Sequence, residues 1–469
     1  MNLFLLFIPL LALAADGPFL EKPYLQLGNS PKLEKAESLT LLWHTDDQPA
    51  AWNVEVRTSK DSKWRAASSA VPLSQRINVK GIEPHFVYRA ALSKLVPGEE
   101  FRYRVLKEGE TVFESTGQAR KSSGQAQRFV VFGDIAQGTA GQKAVAHQVS
   151  LKKPDFVFVT GDIVYTYGRI AEYRDKFFPI YNAEQADPAT GAPLLRSVPF
   201  IAATGNHDTS LRNLERFPDT FAYFYYWDQP LNGPTVQGER TAHTLLGSPE
   251  AQAAFRKAAQ QRYPVMANFS FDYGNAHWTV LDSNPYMDWN NAALREWVAK
   301  DIASAKNAQW RFVAFHHPGF NSSKAHLTDQ WMRLLAPTFE QGKVDVVFSG
   351  HVHNYQRSFP LTFVPKAQAD GKPQGPKGEV DGAWTLDKEF GDGSTKAKPK
   401  GVIYIVTGGG GASVYNPEQQ EKPDSWLEFT TKYFGVQNSF SVVEIDGKTF
   451  RLKQVSQDGK EVDAFQLTK

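Results

Sequence analysis

Five apolar runs that stop abruptly at small and polar residues constrain the fold of this chain more than any other feature. They read RFVVFGD, PDFVFVTGD, VPFIAATGNHD, WRFVAFHHPG and VDVVFSGHVH, and all lie after residue 126. Segments with helical periodicity, NNAALREWVAKDIASA and TDQWMRLLAPTFEQ, lie among them. Apolar runs of this kind predict buried sheet strands with helices on the faces of the sheets, and therefore an α/β domain.

Each apolar run is followed by side chains that can bind a metal ion. Ligands of such sheets bind beyond the ends of the strands, so the five polar tips predict one shared site. Carboxylate, imidazole, amide and phenol groups together suit Fe, Zn and Mn, and so many donors suit two ions that share a carboxylate. The donors on the tips are Asp134, Asp162, Tyr165, Asn206, His207, Asp208, His316, His317, His351 and His353.

The pair His351 and His353 stands two residues apart, directly after an apolar run and a glycine. In an extended segment side chains alternate, so both rings are predicted to face the same side and could share a metal site. An ordinary hydrogen-bonded pair is the alternative that these two residues alone leave open.

Residues from about 20 to 120 follow a different pattern. SLTLLWHT, AAWNVEVRTS and LVPGEEFRYRV are short apolar or alternating runs separated by turns, with no helical stretch. They predict a β-sandwich of about 100 residues. The stretch resembles a fibronectin type III module, with Phe101 at the position where that module has a tyrosine.

Composition restricts the chemistry and the partners. The 469 residues suggest two or three domains, and a net charge of +2 gives no reason to expect a nucleic acid or an acidic membrane surface as partner. The chain has no cysteine, which excludes disulfides, thiolate ligands and cysteine nucleophiles.

The apolar stretch at residues 3–15 is too short to span a bilayer, and Ala12-Leu13-Ala14 fits a cleavage site. We therefore expect a signal peptide over residues 1–15, a secreted or periplasmic protein, and no stable membrane insertion. A buried first strand or an uncleaved anchor is the alternative.

The five tips match, in order, the motifs of the metallophosphoesterases, the calcineurin-like phosphoesterase superfamily. Asp134 is followed by GD at 161–162, GNH at 205–207, the lone His316 and GHVH at 350–353. Within that group the chain resembles the purple acid phosphatases, because Tyr165 stands three residues after Asp162. Position 136 is alanine, where relatives without the tyrosine carry a histidine. The resemblance covers about residues 126–450.

The resemblance implies an architecture. Residues 16–122 would form the fibronectin type III-like all-β sandwich, as a scaffold or as the surface of a homodimer. Residues 123–469 would form the catalytic domain, a four-layer α/β/β/α sandwich. A Gly-, Pro- and Lys-rich loop insert at 359–400 follows the histidine pair and is expected either to lean over the site or to be a solvated loop.

The resemblance also implies an exported acid phosphatase that hydrolyses phosphate monoesters by attack of a metal-bound hydroxide. One ion, expected as Fe(III), would bind Asp134, Tyr165 and His353. The second ion, expected as Zn, Fe or Mn, would bind Asn206, His316 and His351, and Asp162 would bridge the two.

Three further residues are implied as catalytic. His207 would bind phosphate or act as a general acid, with Asp208 orienting its ring, and His326 would be a second substrate histidine. A loop or helix-start histidine is the alternative for His326. The role of His317 stays open, and Tyr167 competes weakly with Tyr165 as the phenol ligand.

Other functions remain open at this point. A phosphodiesterase or nucleotidase of the same fold, or a catalytically inactive surface-binding protein, would carry the same sandwich. The expected partner is a small phosphorylated substrate without a nucleic acid scaffold. The glycine run VTGGGGA at 406–412 predicts a tight turn or close backbone approach, and five histidines are expected to be structural: His44, His85, His147, His243 and His277.

Overall fold

Strands dominate the chain. A computed structural model describes residues 17–236, 238–367 and 378–469, so the predicted signal peptide at 1–15 lies outside the described residues. The strands, in chain order, are β1 (Glu21–Gln26), β2 (Glu37–Thr45), β3 (Trp52–Arg57), β4 (Arg65–Ala66), β5 (Leu73–Ile77), β6 (His85–Leu95), β7 (Glu100–Lys107), β8 (Glu110–Gln118), β9 (Gln127–Phe132), β10 (Phe156–Val159), β11 (Asn182–Asp187), β12 (Gly191–Pro193), β13 (Phe200–Ala202), β14 (Phe269–Tyr273), β15 (Ala276–Val280), β16 (Trp310–Ala314), β17 (Val346–Ser349), β18 (Tyr355–Ser358), β19 (Leu361–Pro365), β20 (Gly382–Leu386), β21 (Ile403–Thr407), β22 (Thr430–Phe434), β23 (Ser439–Asp446), β24 (Thr449–Ser456) and β25 (Glu461–Thr468).

Helices are short and lie between the strands. The α-helices are α1 (Ala140–Leu151), α2 (Ile170–Glu172), α3 (Phe178–Tyr181), α4 (Asn206–Thr209), α5 (Tyr223–Tyr226), α6 (Pro249–Ala259), α7 (Ala292–Ser304) and α8 (Ala336–Gln341). A π-helical turn spans Tyr173–Phe177, and 3₁₀ turns span Gln260–Arg262, Val265–Ala267, Trp331–Leu335, Pro417–Gln419 and Pro423–Ser425. The predicted helix NNAALREWVAKDIASA is α7, whereas the second predicted helix begins only at Trp331 as a 3₁₀ turn and continues as α8.

Two large sheets carry the predicted strands. The ten-stranded sheet has the order β25-β24-β23-β9-β10-β13-β1-β2-β6-β5, and the seven-stranded sheet has the order β14-β15-β16-β17-β21-β18-β22. β9, β10 and β13 are parallel neighbours in the first sheet, as are β15, β16, β17 and β21 in the second. All five apolar runs are therefore strands, as predicted, and the structure shows that they belong to parallel segments.

The two sheets pack face to face through aromatic side chains. Phe158 of one sheet stacks on Trp278 of the other, with ring centroids 5.1 Å apart. The outer faces pack against helices, through Val145 of α1 on the ten-stranded sheet and Leu294 of α7 on the seven-stranded sheet. The predicted four-layer α/β/β/α architecture is confirmed.

The N-terminal region is the predicted sandwich. A four-stranded sheet, β4-β3-β7-β8, packs on β1, β2 and β6, and the alternating residues Trp52, Val54 and Val56 are buried as expected. β1 pairs in parallel with β13 at Gln26 and Phe200, so one sheet runs from this region into the α/β region. The boundary at residues 122–123 stays a prediction.

The insert at 359–400 contains a hairpin in its described part. β19 and β20 pair with Phe363 opposite Trp384, and the guanidinium of Arg333 lies 5.7 and 5.8 Å from those two rings. Phe363 is fully buried. This hairpin packs on the outer side of the seven-stranded sheet, and is not a freely solvated loop.

Arg120 connects three segments at the junction between the two regions. It is 1% exposed, and its ion pair with the fully buried Glu37 has an Nε to Oε2 distance of 2.6 Å. Its Nη1 donates to the carbonyl oxygens of Ser30 and Asp272, each at 3.0 Å. One side chain thus joins the sandwich to β14 of the seven-stranded sheet.

We expect Arg120→Met to lower stability by about 3–5 kcal/mol, because it leaves the Glu37 carboxylate buried without its charged partner. The measurement is the shift of the denaturant unfolding midpoint. Arg102→Ala is the control, since Arg102 pairs with Glu114 at the surface, where such pairs contribute about 1 kcal/mol or less. Equal shifts for the two variants would contradict this assignment.

His277 lies between two carboxylates. The expectation from the sequence that it has no companion groups is wrong. Its Nδ1 is 2.7 Å from Asp272 Oδ1 and its Nε2 is 3.1 Å from Asp301 Oδ2. Burial lowers the pKa of His277, but the two carboxylates outweigh it and raise the pKa to about 9. The imidazolium of His277 joins β14, β15 and α7 by its two ion pairs. The residue therefore has a structural role that depends on its charge.

This raised pKa predicts a pH-dependent part of the stability. The stabilisation is fully present below the unfolded pKa of about 6.5 and is lost as the pH rises through about 9. We expect His277→Gln to remove a contribution on the order of 3 kcal/mol at pH 6 and little at pH 10. Unfolding midpoints across this range test it, with His147→Gln on α1 as control. An equal loss of stability at pH 6 and at pH 10 would refute the conclusion that the charge of His277 stabilises the fold.

Candidate metal centre

Polar tips of the two sheets meet at one edge. The hydroxyl of Tyr165 lies 3.1 Å from Asp134 Oδ1, 3.2 Å from Asp162 Oδ2 and 3.0 Å from His353 Nε2. All four side chains are buried. The tips after β9, β10 and β17 thus form one group of donors, although their residues are up to 219 positions apart in the sequence.

A second group of donors lies on the other side of Asp162. His316 Nε2 is 3.1 Å from Asn206 Oδ1 and 3.2 Å from Asp162 Oδ2. The ring centroid of His351 is 5.0 Å from that of His316. Asp162 Oδ2 therefore contacts both groups, which is the position that a bridging carboxylate takes.

Main-chain carbonyls fix the orientation of two of the rings. His316 Nδ1 donates to Thr160 O at 2.9 Å, and His353 Nδ1 donates to Ser413 O at 2.7 Å. With Nδ1 held in this way, each ring directs Nε2 towards the carboxylates, where loss of an Nε2 hydrogen would leave a lone pair for a metal ion.

The backbone at this edge turns sharply. Asp134, Asp162 and His351 have φ values of 60°, 50° and 66°, in the left-handed region that side-chain-bearing residues rarely adopt. Such residues are held by their surroundings and are frequent at functional sites. The prediction of an extended segment at His351 and His353 is wrong: both lie in the turn between β17 and β18, and their rings reach different groups of donors.

The glycine run after β21 lies against the Asp134 segment. Gly410 N donates to Gly133 O at 3.0 Å, and Ala412 N donates to Asp134 O at 2.8 Å. A Cβ on Gly411 would lie 2.0 Å from Ile135 O. The predicted close backbone approach is therefore present, and it holds the segment that carries Asp134.

Electrostatics at the site are dominated by burial and negative charge. Burial raises the pKa of Tyr165 well above its ordinary value, and Asp134 and Asp162 raise it further. Burial would also raise the pKa of Asp162, but the neighbouring His316 outweighs it and holds this pKa well below its usual range. Burial lowers the pKa of His316, yet Asp162 and Asp134 bring it to about 9.

The donor set fits metal ions. In the described chain, the ion pairs of Asp134 and Asp162 are with histidine rings, and neither carboxylate is paired with a lysine or an arginine. Ligand atoms of Asp134, Asp162 and His316 lie within 4.8 Å of one another, and so do those of His316, His317 and His351. Two buried carboxylates and a phenol need positive charge, which cations among these donors would supply.

His207 lies at the edge of this group and is partly accessible. Its Nδ1 donates to Thr166 O at 2.6 Å, and its Nε2 lies 3.8 Å from Asp162 Oδ2. The prediction that Asp208 orients this ring is wrong. The Asp208 carboxylate accepts from the main-chain N–H groups of Gly205 at 2.8 Å and Ile163 at 3.0 Å, because Asp208 faces back across the first turn of α4.

The remaining candidates separate clearly. His326 lies beside the second group, with its ring centroid 3.9 Å from that of His351, and His317 is buried with Nδ1 3.1 Å from Ser283 Oγ. Tyr167 is 44% exposed, and Tyr165 is the phenol among the donors. The sequence analysis missed Asp329, which bonds His326 and His351, although its position three residues after His326 was a signal.

Comparisons with known proteins agree with this geometry. Residues 127–355 match the calcineurin-like phosphoesterase family. A protein of Arabidopsis thaliana named probable inactive purple acid phosphatase 1 is 25% identical over 417 residues, which cover 82% of this chain and 58% of that protein. The purple acid phosphatase of Glycine max is 25% identical over 332 residues, or 69% of this chain and 63% of that one.

Structural comparison shows the same fold. The purple acid phosphatase PPD1 from yellow lupin (Lupinus luteus) seeds superposes with a TM-score of 0.62 at 19% identity, covering 97% of this chain and 74% of that chain. The first three curated relatives are matched over 49% to 58% of their own length. In the described residues, no helix has the length and apolar character that crossing a bilayer requires. Residues 127–355 thus form a calcineurin-like phosphoesterase domain, and the chain is similar to purple acid phosphatases in sequence and in fold.

Proposed function

We propose that this chain is a two-metal acid phosphatase that hydrolyses phosphate monoesters. The observation that carries the proposal is the position of Asp162, whose Oδ2 lies 3.2 Å from both Tyr165 OH and His316 Nε2. Asp162 would bridge the ions; the first would be held by Asp134, Tyr165 and His353, and the second by Asn206, His316 and His351.

The two groups of donors differ in chemistry. A phenolate is a hard, charged donor that favours Fe(III), whereas an amide and two imidazoles suit a divalent ion such as Zn, Fe or Mn. When bound, a pair of such ions supplies Lewis acidity that stabilises the attacking and leaving oxygens of a phosphoryl transfer.

His207 and His326 would meet the substrate. Their side chains are 28% and 34% exposed, beside the first and second groups of donors respectively. Because Nδ1 of His207 is bonded to Thr166 O, its Nε2 is the atom left to face a phosphate. In its protonated form that nitrogen would donate to a phosphoryl oxygen or to the departing alcohol.

Asp208 would act through the backbone. Its carboxylate joins the GD tip to the GNH tip through the N–H groups of Ile163 and Gly205. Burial, and then the charge of Asp162, raise the pKa of Asp208 to about 8. We infer that it sets the distance between Asp162 and His207.

The proposal includes location and partners. The apolar stretch at residues 3–15 and the Ala12-Leu13-Ala14 near its end support export to the periplasm or the medium. A small phosphorylated molecule is the substrate that the two exposed histidines suit, without a nucleic acid scaffold. The outer face of the sandwich would be a scaffold or the surface of a homodimer.

We expect purified, oxidised protein to contain two metal ions per chain, at least one of them iron, and to be purple through tyrosinate-to-iron absorption. Tyr165→Phe should remove the colour, while Tyr167→Phe, at an exposed ring outside the donor groups, should keep it. Metal analysis and a visible spectrum measure this. Two ions without iron would leave a metallophosphoesterase of another kind, and no ion on reconstitution would favour an inactive binding protein.

Asn206→Ala and His351→Ala should each remove the second ion and lower phosphomonoesterase activity at least about 100-fold, because two-metal stabilisation of the transition state is lost. Initial rates with aryl monoester and diester substrates, next to the metal content, measure this. Near-normal activity in either variant would contradict the two-metal assignment. Faster turnover of the diester would reassign the substrate class.

Removal of metal should lower the thermal unfolding midpoint of the wild-type protein, since ions bound only by the folded state stabilise it through mass action. The shift should shrink strongly in Asp162→Asn, which weakens both ion sites at once. Calorimetry before and after chelation tests this. An unchanged midpoint in chelated wild-type protein would show that the buried carboxylates do not depend on cations.

A further inference from the structure

One carboxylate oxygen bonds two histidine rings at the second group of donors. Asp329 Oδ2 lies 3.1 Å from His326 Nδ1 and 3.2 Å from His351 Nε2. The two rings lie against each other with centroids 3.9 Å apart. Asp329 thus contacts a proposed metal ligand and a proposed substrate residue at the same time.

The local chain holds Asp329 firmly. Its N–H donates to His326 O at 3.1 Å, which closes a turn in which His326 has a φ of 57°. On the following side, Gln330 N donates to Gly378 O at 3.2 Å, and Val380 N donates to Gln330 Oε1 at 3.1 Å. Gly378 and Val380, which precede β20, therefore hold Gln330, the residue next to Asp329. The insert is connected to the site through these hydrogen bonds.

An ionised carboxylate accepts hydrogen bonds and donates none, so each ring nitrogen that faces it carries a hydrogen. A neutral imidazole has one N–H, so its other nitrogen is left with a lone pair. For His351 the lone pair is then on Nδ1, and for His326 it is on Nε2.

We propose that Asp329 is a positioning residue that fixes the tautomers of both rings, leaving Nδ1 of His351 for the second metal ion and Nε2 of His326 for the substrate. This inference rests on the proposed two-metal function. Carboxylates that bond the far nitrogen of a metal-binding histidine typically strengthen metal affinity 10–100-fold. Here the same carboxylate oxygen also orients the ring of His326, which would contact the substrate. Metal affinity and substrate positioning would therefore both depend on Asp329.

The test is a titration of metal-free protein with Zn²⁺ against a chromophoric chelator. We expect Asp329→Ala to weaken the second Zn²⁺ by about 10–100-fold and to leave the first unchanged. Asp424→Ala, which removes an exposed carboxylate elsewhere, should match the wild type. His326→Ala should also leave the second affinity close to that of the wild type, because the bond between Asp329 and His351 remains.

Tautomers give a readout that general loosening of the fold would not reproduce. In ¹⁵N-histidine spectra of the Zn²⁺-loaded protein, His351 should carry its hydrogen on Nε2 and His326 on Nδ1. In Asp329→Ala, His326 should move to the Nε2–H form that free imidazole side chains prefer. The His326→Ala spectrum assigns the signal.

Unchanged tautomers together with unchanged second-ion affinity in Asp329→Ala would overturn the proposal. If that variant does not fold by circular dichroism, Asp329→Leu, which is close in size to aspartate and has no acceptor, takes its place, and there an unchanged second-ion affinity and unchanged tautomers have the same meaning. Wild-type protein that binds fewer than two Zn²⁺ ions would instead overturn the proposed function.

Discussion

The phenol of Tyr165 lies within hydrogen-bonding distance of both Asp134 and Asp162 in the interior, where the like charges of the two carboxylates repel strongly. Bringing these groups together costs free energy that contacts within the local segments do not offset. The left-handed backbone at both aspartates adds about 1–3 kcal/mol each. The surrounding structure must therefore impose the arrangement. The histidine rings offset part of the repulsion, and cations would offset the rest.

The N-terminal sandwich takes part in imposing it. β13 has only three residues, and its end leads to Asn206 and His207. One neighbour of this short strand is β10, and the other is β1 of the sandwich, which pairs with it at Gln26 and Phe200. Arg120, paired with Glu37, also joins the sandwich to β14. The sandwich is therefore attached to the α/β domain, and through β1 it also supports the strand that leads to Asn206.

The sequence allowed the strand ends and their donors to be predicted, because apolar runs with polar tips report burial directly. It did not reveal contacts between distant segments. Thr166, not Asp208, orients His207, and Asp329 meets His351 from another loop. The GHVH segment looked extended because its spacing fits a strand, but Gly350 and the left-handed His351 form a turn. Backbone strain imposed by tertiary packing leaves no signature in periodicity.

Activity in a fold of this kind depends on side chains at a few strand ends, and fold alone does not decide it. Some relatives matched over much of this chain are named probable inactive purple acid phosphatases, while others are named purple acid phosphatases. Here every tip retains a donor, and each donor group has an oxygen ligand next to imidazole. Burying Asp134, Asp162 and Tyr165 together is unfavourable without compensating cations. The cluster therefore supports the proposed metal-dependent function over that of a binding protein without metal ions.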